Sequence, residues 1–136
     1  EALDTNSDSG KFRYQKATIY MQMNQHDDAI VIFDDLLALN EWNPEVLANR
    51  AESYMATKQY SNAKSDYKKL QSLTPNDPRM YLRFAQIAEA EKSPSDELKN
   101  YNLFLKYVDQ ESVPASELEQ IKKRVSELEN SQGSTP

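Results

Sequence analysis

The sequence predicts an all-α fold in which pairs of helices repeat along the chain. Aromatic and leucine residues recur at one fixed interval, as in Tyr20 and Tyr54 and in the series Leu36, Leu70 and Phe104. This repeat interval, about 34 residues, corresponds to one helix pair per repeat. It therefore predicts an array of stacked helix pairs, a type of fold that usually serves binding.

The first helix of each pair is predicted from residues that can cap a helix. Ser9, Asn43 and Asp77 are again separated by the repeat interval, and their side-chain oxygens can accept hydrogen bonds from the first N–H groups of a helix. Pro44 and Pro78 follow two of them, at the first helical position, where the missing N–H of proline costs nothing. We expect the first helices to begin at these three places.

The second helices are predicted to begin near Asp27, Ser61 and Ser93. In the last of them Pro94 and Asp96 follow Ser93, an order that favours a helix N-terminus. With these starts, we expect seven helices, at 10–24, 27–40, 44–58, 61–74, 78–91, 94–109 and 114–130.

The seventh helix carries one apolar stripe, formed by Leu118, Ile121, Val125 and Leu128. A half-polar helix of this kind is expected to cover the last pair, because an uncovered repeat would leave its packing face in water. The predicted organisation is the end of a preceding repeat or a linker at 1–9, repeats at 10–43, 44–77 and 78–111, a capping helix at 112–130 and a disordered tail at 131–136. Ala2 and Leu3 precede Leu36 and Leu37 by one repeat interval, so we expect an upstream part of the array to be missing.

Composition excludes several classes of protein. The 136 residues carry a net charge of −6, include no Cys and contain two Gly, which removes disulfides, thiolate sites and phosphate-binding loops. Non-specific nucleic-acid binding needs clustered Lys and Arg and is not expected. The longest apolar run, 29–33, is too short for a membrane span. No basic and apolar leader is visible, so a targeting segment is expected to be missing or removed, and the localisation is left open.

Seven positions carry a resemblance to a known family. The pattern W-x2-L-G-x2-Y, A-x3-F, P is matched with conservative changes by Leu47, Arg50, Ala51, Tyr54, Ala63, Tyr67 and Pro75. On this basis residues 10 to about 109 resemble the tetratricopeptide repeat (TPR) family. The resemblance implies a right-handed TPR helical-repeat solenoid with three helix pairs plus a C-terminal capping helix. It also implies a core formed by Ala17, Ala51 and Ala85 with Tyr20, Tyr54, Phe33 and Tyr67 around them.

The third pair departs from the family pattern. Ala88 stands where a Tyr is expected, and Glu97 stands where a small residue is expected. Because a carboxylate between close helices is costly, we expect Glu97 to reach solvent, through a wider crossing or a shifted second helix.

The resemblance also implies a partner-binding groove lined by the first helices of successive pairs. Polar residues form columns along these helices, and together with apolar neighbours they give the predicted groove: Lys11, Tyr14, Gln15, Thr18, Met21, Glu45, Asn49, Glu52, Met55, Arg79, Leu82, Arg83 and Gln86.

Part of this groove resembles the carboxylate clamp of TPR domains that hold an acidic peptide tail. Asn49, Arg79 and Arg83 match the clamp's Asn, basic and Arg positions, whereas Tyr14 replaces a Lys and Thr18 replaces an Asn. The partner would then be a protein or peptide that is acidic or ends in a free carboxylate. The alternative is that Glu45 and Glu52 form ion pairs with Arg79 and Arg83 across neighbouring helices.

Other polar and aromatic residues are assigned structural roles. His26 has no Ser, Cys or carboxylate spaced to form a triad, so it is expected to pack or cap. Asp27, Asp28, Asp34 and Asp35 lack the spacing of a calcium loop and are expected at a helix start or a solvated face. Trp42 is expected to close over Leu47 as a hydrophobic staple. No enzyme activity, metal or cofactor is expected.

Three functional hypotheses follow. The first is a scaffold or adaptor that binds a peptide or protein in the groove. The second is a structural segment that stacks on further repeats or associates with itself. The third is a secretion-type TPR chaperone, since small acidic TPR proteins hold export substrates.

Overall fold

A computed structural model describes residues 8–133. All regular structure in this range is helical: α1 Asp8–Gln22, α2 His26–Leu39, α3 Pro44–Ala56, α4 Tyr60–Leu73, α5 Arg79–Ala90, α6 Pro94–Tyr107, the short 3₁₀ helix Gln110–Ser112 and α7 Ala115–Gly133. The three helix pairs and the additional C-terminal helix are confirmed. Their ends lie within three residues of the predicted ones.

The two chain ends differ from the prediction. Residues 8 and 9 belong to α1, and α7 continues to Gly133, so residues 131–133 of the predicted tail are helical. The predicted remnant of an earlier repeat at Ala2 and Leu3, and the tail residues 134–136, lie outside the described residues.

The helix starts show which predicted caps act as caps. The Asn43 side chain accepts a hydrogen bond from Val46 N, and Pro44 is the first residue of α3, as predicted. The predicted start at Pro78 is one residue early, since α5 begins at Arg79 and Pro78 precedes it. Asp77 Oδ1 accepts a hydrogen bond from Arg79 N at 3.0 Å. The prediction for Ser9 is wrong, since α1 already begins at Asp8.

The chain divides between Pro75 and Asn76 into two compact units. In the first unit α2 packs between α1 and α3, and α3 packs on α4. Ala17 and Ala51 are fully buried there, and Phe33 and Tyr67 are buried as well. These four residues confirm the predicted core of the first unit.

One arginine links three helices of the first unit. Arg50 of α3 donates two hydrogen bonds to Asp66 of α4, at 2.9 and 2.7 Å, and one to Asp34 of α2 at 2.8 Å. The hydrogen bonds to Asp66 raise the pKa of Arg50 further above its ordinary value. The guanidinium also lies over the ring of Tyr54, 5.5 Å from its centroid. Tyr54 and Tyr20 are only half-buried, so their predicted place in the core is correct in part.

The second unit has its own core, and the prediction for Glu97 is wrong. α6 packs on both α5 and α7, and its apolar cluster consists of Ala85, Tyr101, Phe104, Ile121, Val125 and Leu128. Glu97 of α6 is 1% exposed. Its carboxylate accepts two hydrogen bonds from Arg124 of α7, at 2.7 and 2.9 Å. A buried carboxylate is tolerated here because the last helix supplies a cation that binds both oxygens.

Candidate functional site

The predicted groove residues of the first unit lie on α1 and α3, which are in direct contact. Their register depends on the start of α3, where Asn43 caps the helix and Pro44 occupies its first turn. Lys11, Gln15 and Thr18 share one side of α1, because residues three or four apart lie on one helix face. Glu45, Asn49 and Glu52 share one side of α3 in the same way.

A cavity of about 600 Å³ opens between α1 and the start of α3. Polar side chains and one proline ring line it: Lys11, Tyr14, Gln15, Asn40, Asn43, Pro44 and Glu45. Four of the thirteen predicted groove residues belong to this lining. Asn40 and Asn43 come from the loop between α2 and α3 and were not predicted as groove residues. From the sequence, these two residues could be identified only by considering the loop that precedes the second repeat.

Tyr14 connects α1 to α3 at the edge of this cavity. Its hydroxyl oxygen accepts a hydrogen bond from Asn49 Nδ2 at 2.6 Å. Burial raises the pKa of Tyr14, the negative charge of Glu45 raises it further, and the hydrogen bond from Asn49 acts in the opposite sense. Tyr14 is therefore a neutral hydroxyl that fixes the distance between the two helices. It cannot replace the charge of the Lys found at this place in clamp-type domains.

The other predicted residues of the first unit have partners within the unit. Thr18 Oγ1 donates to the backbone oxygen of Gln15 at 2.7 Å, and Glu52 accepts a hydrogen bond from the hydroxyl of Tyr67. Met21 and Met55 are half-buried. The Thr18 and Glu52 side chains are thus held in place by neighbours on α1 and α4.

The remaining four predicted residues lie on α5 in the second unit. Arg79 is paired with Asp77, Nη2 to Oδ2 at 2.7 Å, and its side chain is 79% exposed. Arg83 Nη1 donates to Gln86 Oε1 at 3.0 Å, and Leu82 packs against the apolar cluster of that unit. The sequence analysis did not consider Asp77 as the partner of Arg79. One groove that includes both sets of residues stays a prediction.

The decisive observation for the family comes from comparison with known proteins. Residues 21–87 match the model of the tetratricopeptide repeat family. The chain carries tetratricopeptide repeats. The turns agree with this, since Asn24, Lys58 and Lys92 each follow a first helix, with φ values of 61°, 61° and 58°, and are separated by the repeat interval.

One curated relative covers a larger part of the chain. The DnaJ homolog subfamily C member 3 homolog of Dictyostelium discoideum is 34% identical over an alignment of 76 residues that covers 54% of this TPR chain. The match spans 15% of the length of that relative.

Solved structures with the same fold include two peptide complexes. The type III secretion chaperone SycD of Yersinia enterocolitica, in complex with a peptide of the translocator YopD, has a TM-score of 0.80 and 15% identity, with 93% of this chain and 96% of that chain covered. The first TPR of Spaghetti (RPAP3), bound to the HSP90 peptide SRMEEVD, has a TM-score of 0.71 and 19% identity, with coverage of 90% and 92%. At these identities the similarity concerns the TPR fold.

Two residues that the sequence analysis discussed are not among the residues that line the cavity. His26 begins α2, and its Nδ1 is 3.1 Å from Oγ of Ser53, which is fully buried; this agrees with a packing role. Trp42 remains 44% exposed, with the Lys69 ammonium 5.0 Å from its ring centroid. Its closure over Leu47 stays a prediction.

Neither a metal site nor a membrane-spanning helix is found among the described residues. Within residues 8–133, no group of three His, Asp or Glu side chains is placed to hold a metal ion. None of the helices in that range is long and apolar enough to cross a membrane.

Proposed function

We propose that this TPR chain is a protein-interaction module, and that the face shared by α1 and α3 binds an extended segment of a partner protein without turnover. The observation that carries the proposal is the cavity of about 600 Å³ between these helices. A cavity of this size accommodates a few residues of an extended chain. The match of residues 21–87 to a repeat family that serves binding supports it.

The chemistry of the lining favours a peptide backbone as ligand. Gln15, Asn40 and Asn43 carry amides, which can both donate and accept hydrogen bonds, as a peptide group does. The Pro44 ring offers an apolar surface in the same cavity. Lys11 and Glu45 place one positive and one negative charge at the lining of the cavity. The charges of the partner segment would therefore determine which of its ends lies near Lys11 and which lies near Glu45.

A finer part of the proposal concerns an acidic or carboxylate-bearing partner. Lys11 in the first unit and the pair Arg79 and Arg83 on α5 are the cations of the predicted groove. In the ion pair between Arg79 and Asp77 the Arg79 side chain is 79% exposed, and ion pairs at the surface contribute only about 0–1 kcal/mol. A partner carboxylate can therefore replace Asp77 at little cost. The acidic peptide SRMEEVD in the similar Spaghetti structure is consistent with this choice of ligand.

The test is a selection from a peptide library displayed with free C-termini, followed by affinity measurements on the full chain. We expect the selected peptides to lose roughly tenfold in affinity, about 1.4 kcal/mol, when Lys11 is changed to Glu. Lys68→Glu, an equally charge-reversing change at an exposed residue of α4, is the matched control and should have little effect. Equal weakening by both variants would contradict the proposed site.

The carboxylate part is tested separately with C-terminally amidated copies of the same peptides. If amidation leaves the affinity unchanged while Lys11→Glu still weakens it, the groove binds peptides but does not read a terminal carboxylate.

A further inference from the structure

Tyr14 offers a hydrogen-bond donor to the cavity between α1 and α3, which it helps to line. Its hydroxyl oxygen already accepts a hydrogen bond from Asn49 Nδ2 at 2.6 Å. A phenol that accepts a hydrogen bond still has its own proton to donate. Within residues 8–133 the Tyr14 hydroxyl donates to no other group. A carbonyl oxygen of a ligand in the cavity can therefore accept this hydrogen bond.

Glu45 offers a hydrogen-bond acceptor to the same cavity. It lies in the first turn of α3, where its side chain is exposed. None of the described residues forms a hydrogen bond or an ion pair with its carboxylate. An ionised carboxylate can only accept hydrogen bonds, and it repels other negative charges. Glu45 therefore favours an N–H group of a ligand and opposes a second carboxylate.

The two groups lie near enough to influence each other. After burial, the negative charge of Glu45 is the second cause that raises the pKa of Tyr14. Together they match the C=O and the N–H of one residue in an extended chain, which point to the same side, as in a hydrogen-bonded pair of antiparallel strands. A terminal carboxylate has two acceptor oxygens and a negative charge, so it would satisfy Tyr14 but be repelled by Glu45.

Lys11 adds a preference for acidic side chains. It lines the same cavity and lies one turn before Tyr14 on α1. No carboxylate of the described residues forms an ion pair with it. An acidic side chain of a ligand can therefore pair with Lys11 while the ligand backbone lies at Tyr14 and Glu45. Of the two ligands considered above, an acidic segment and a terminal carboxylate, the first fits all three groups.

We propose that the cavity between α1 and α3 binds an internal residue of an acidic extended segment. The C=O of this residue accepts a hydrogen bond from Tyr14, its N–H donates to Glu45, and a neighbouring acidic side chain pairs with Lys11. Glu45 makes a terminal carboxylate unfavourable at the same place. The inference rests on the proposed function, since it specifies the kind of peptide that the same site binds.

The hydrogen bond to Glu45 is tested with a library-selected peptide that Lys11→Glu weakens. Each of its peptide bonds in turn is replaced by an ester, which has no N–H. On the full chain, one ester should weaken binding roughly three- to tenfold, in the range of one hydrogen bond. In Glu45→Ala this ester and the original peptide should bind within about twofold of each other. Asp28→Ala, which removes the same charge from the first turn of α2, is the matched control and should keep the difference.

The preference against a terminal carboxylate is tested by shortening the peptide so that it ends at the residue identified by the ester. The form with a free carboxylate should bind about two- to fivefold more weakly than the amidated form, the range for two exposed charges. Glu45→Ala should remove this difference. Tyr14→Phe should weaken the full-length peptide roughly two- to tenfold, whereas Tyr20→Phe, at another half-buried tyrosine of α1, should not.

Two results would overturn the inference and leave the proposed function in place. The first is a peptide that Lys11→Glu weakens but in which no ester effect depends on Glu45. The second is tighter binding of the shortened peptide with a free carboxylate than of its amidated form. If no selected peptide is weakened by Lys11→Glu, the proposed function and the inference both fail.

Discussion

At the residue scale, one backbone conformation closes every helix pair. Asn24, Lys58 and Lys92 have φ values of 61°, 61° and 58°. At the second of them Lys58 N donates to Met55 O at 3.1 Å and Gln59 N donates to Tyr54 O at 2.8 Å. The same two bonds recur at the other turns, as in a Schellman motif. Such a motif usually ends in Gly, which has no Cβ to oppose a positive φ.

The strain at Lys58 gives a first prediction. Lys58→Gly should raise the free energy of unfolding by roughly 0.5–1 kcal/mol, because the relief of the left-handed conformation exceeds the entropy that Gly adds to the unfolded chain. Denaturant unfolding followed by circular dichroism measures it. Asn24→Gly is the control at the equivalent turn and should change stability less, since Asn tolerates this conformation. A loss of stability at Lys58→Gly would contradict the argument.

Three tyrosines that are buried or half-buried give a prediction about alkaline pH. Burial raises the pKa of Tyr101 above its ordinary value of 10.0, with Glu89 and Glu97 acting in the same direction; burial likewise raises the pKa of Tyr14 and Tyr54. As the pH rises above 10.0, the tyrosine hydroxyls of the unfolded chain lose their protons before those of the folded chain do. The free energy of unfolding should therefore be highest below that pH and fall as the pH rises through the folded-state values.

Tyr101→Phe tests this directly, because Phe has no proton to lose. The decrease of stability in alkaline solution should be less steep in this variant than in the unchanged chain. Tyr107→Phe, at a ring that is 54% exposed, is the control. Identical pH profiles for all three proteins would show that burial of Tyr101 does not contribute.

At the element scale, an ion pair between Glu97 and Arg124 joins α6 to α7 in addition to their apolar contacts. Ala29 and Ala63 are fully buried where Glu97 stands in the third pair. The sequence analysis recognised this departure but expected the carboxylate to reach water. It missed Arg124, which binds Glu97 from the following helix, because no repeat pattern relates α7 to α6.

A single and a double variant test the role of this pair. Arg124→Met should lower the free energy of unfolding by about 3 kcal/mol, because it leaves a buried carboxylate without a partner. Glu97→Ala combined with Arg124→Met should come close to the unchanged chain, since it restores the small residue of the other repeats and removes both charges. If the double variant is as unstable as Arg124→Met alone, the loss comes from the Arg124 side chain and not from an unpaired Glu97.

Helix positions were more predictable than the contacts between helices. Asn43 and Pro44 determine the start of α3 locally, and the structure agrees. Ser93 stands at the predicted start of α6, yet its hydroxyl donates to Asp96 Oδ2 at 3.0 Å rather than capping the helix. The bonds from Arg50 to Asp34 and Asp66 connect different helices. Such pairs depend on how the helices pack, which residue spacing does not specify.

At the scale of the whole molecule, the repeat interval was sufficient to predict the fold class. The division into two compact units at Pro75 was not predicted, because the repeat pattern continues across that position. The candidate site was predicted in part: α1 and α3 bring Lys11, Tyr14, Gln15 and Glu45 to one cavity. The loop residues Asn40 and Asn43 were missed because the columns were read along helices alone.

The central claim is that the face shared by α1 and α3 binds a peptide. The most direct measurement is a map of amide chemical shifts on the full chain with a library-selected peptide, compared with the same map for Lys11→Glu. The account predicts saturable changes at Lys11, Tyr14, Gln15 and the α2–α3 loop that diminish in the variant. Changes confined to other parts of the chain, or equal maps for both proteins, would contradict it.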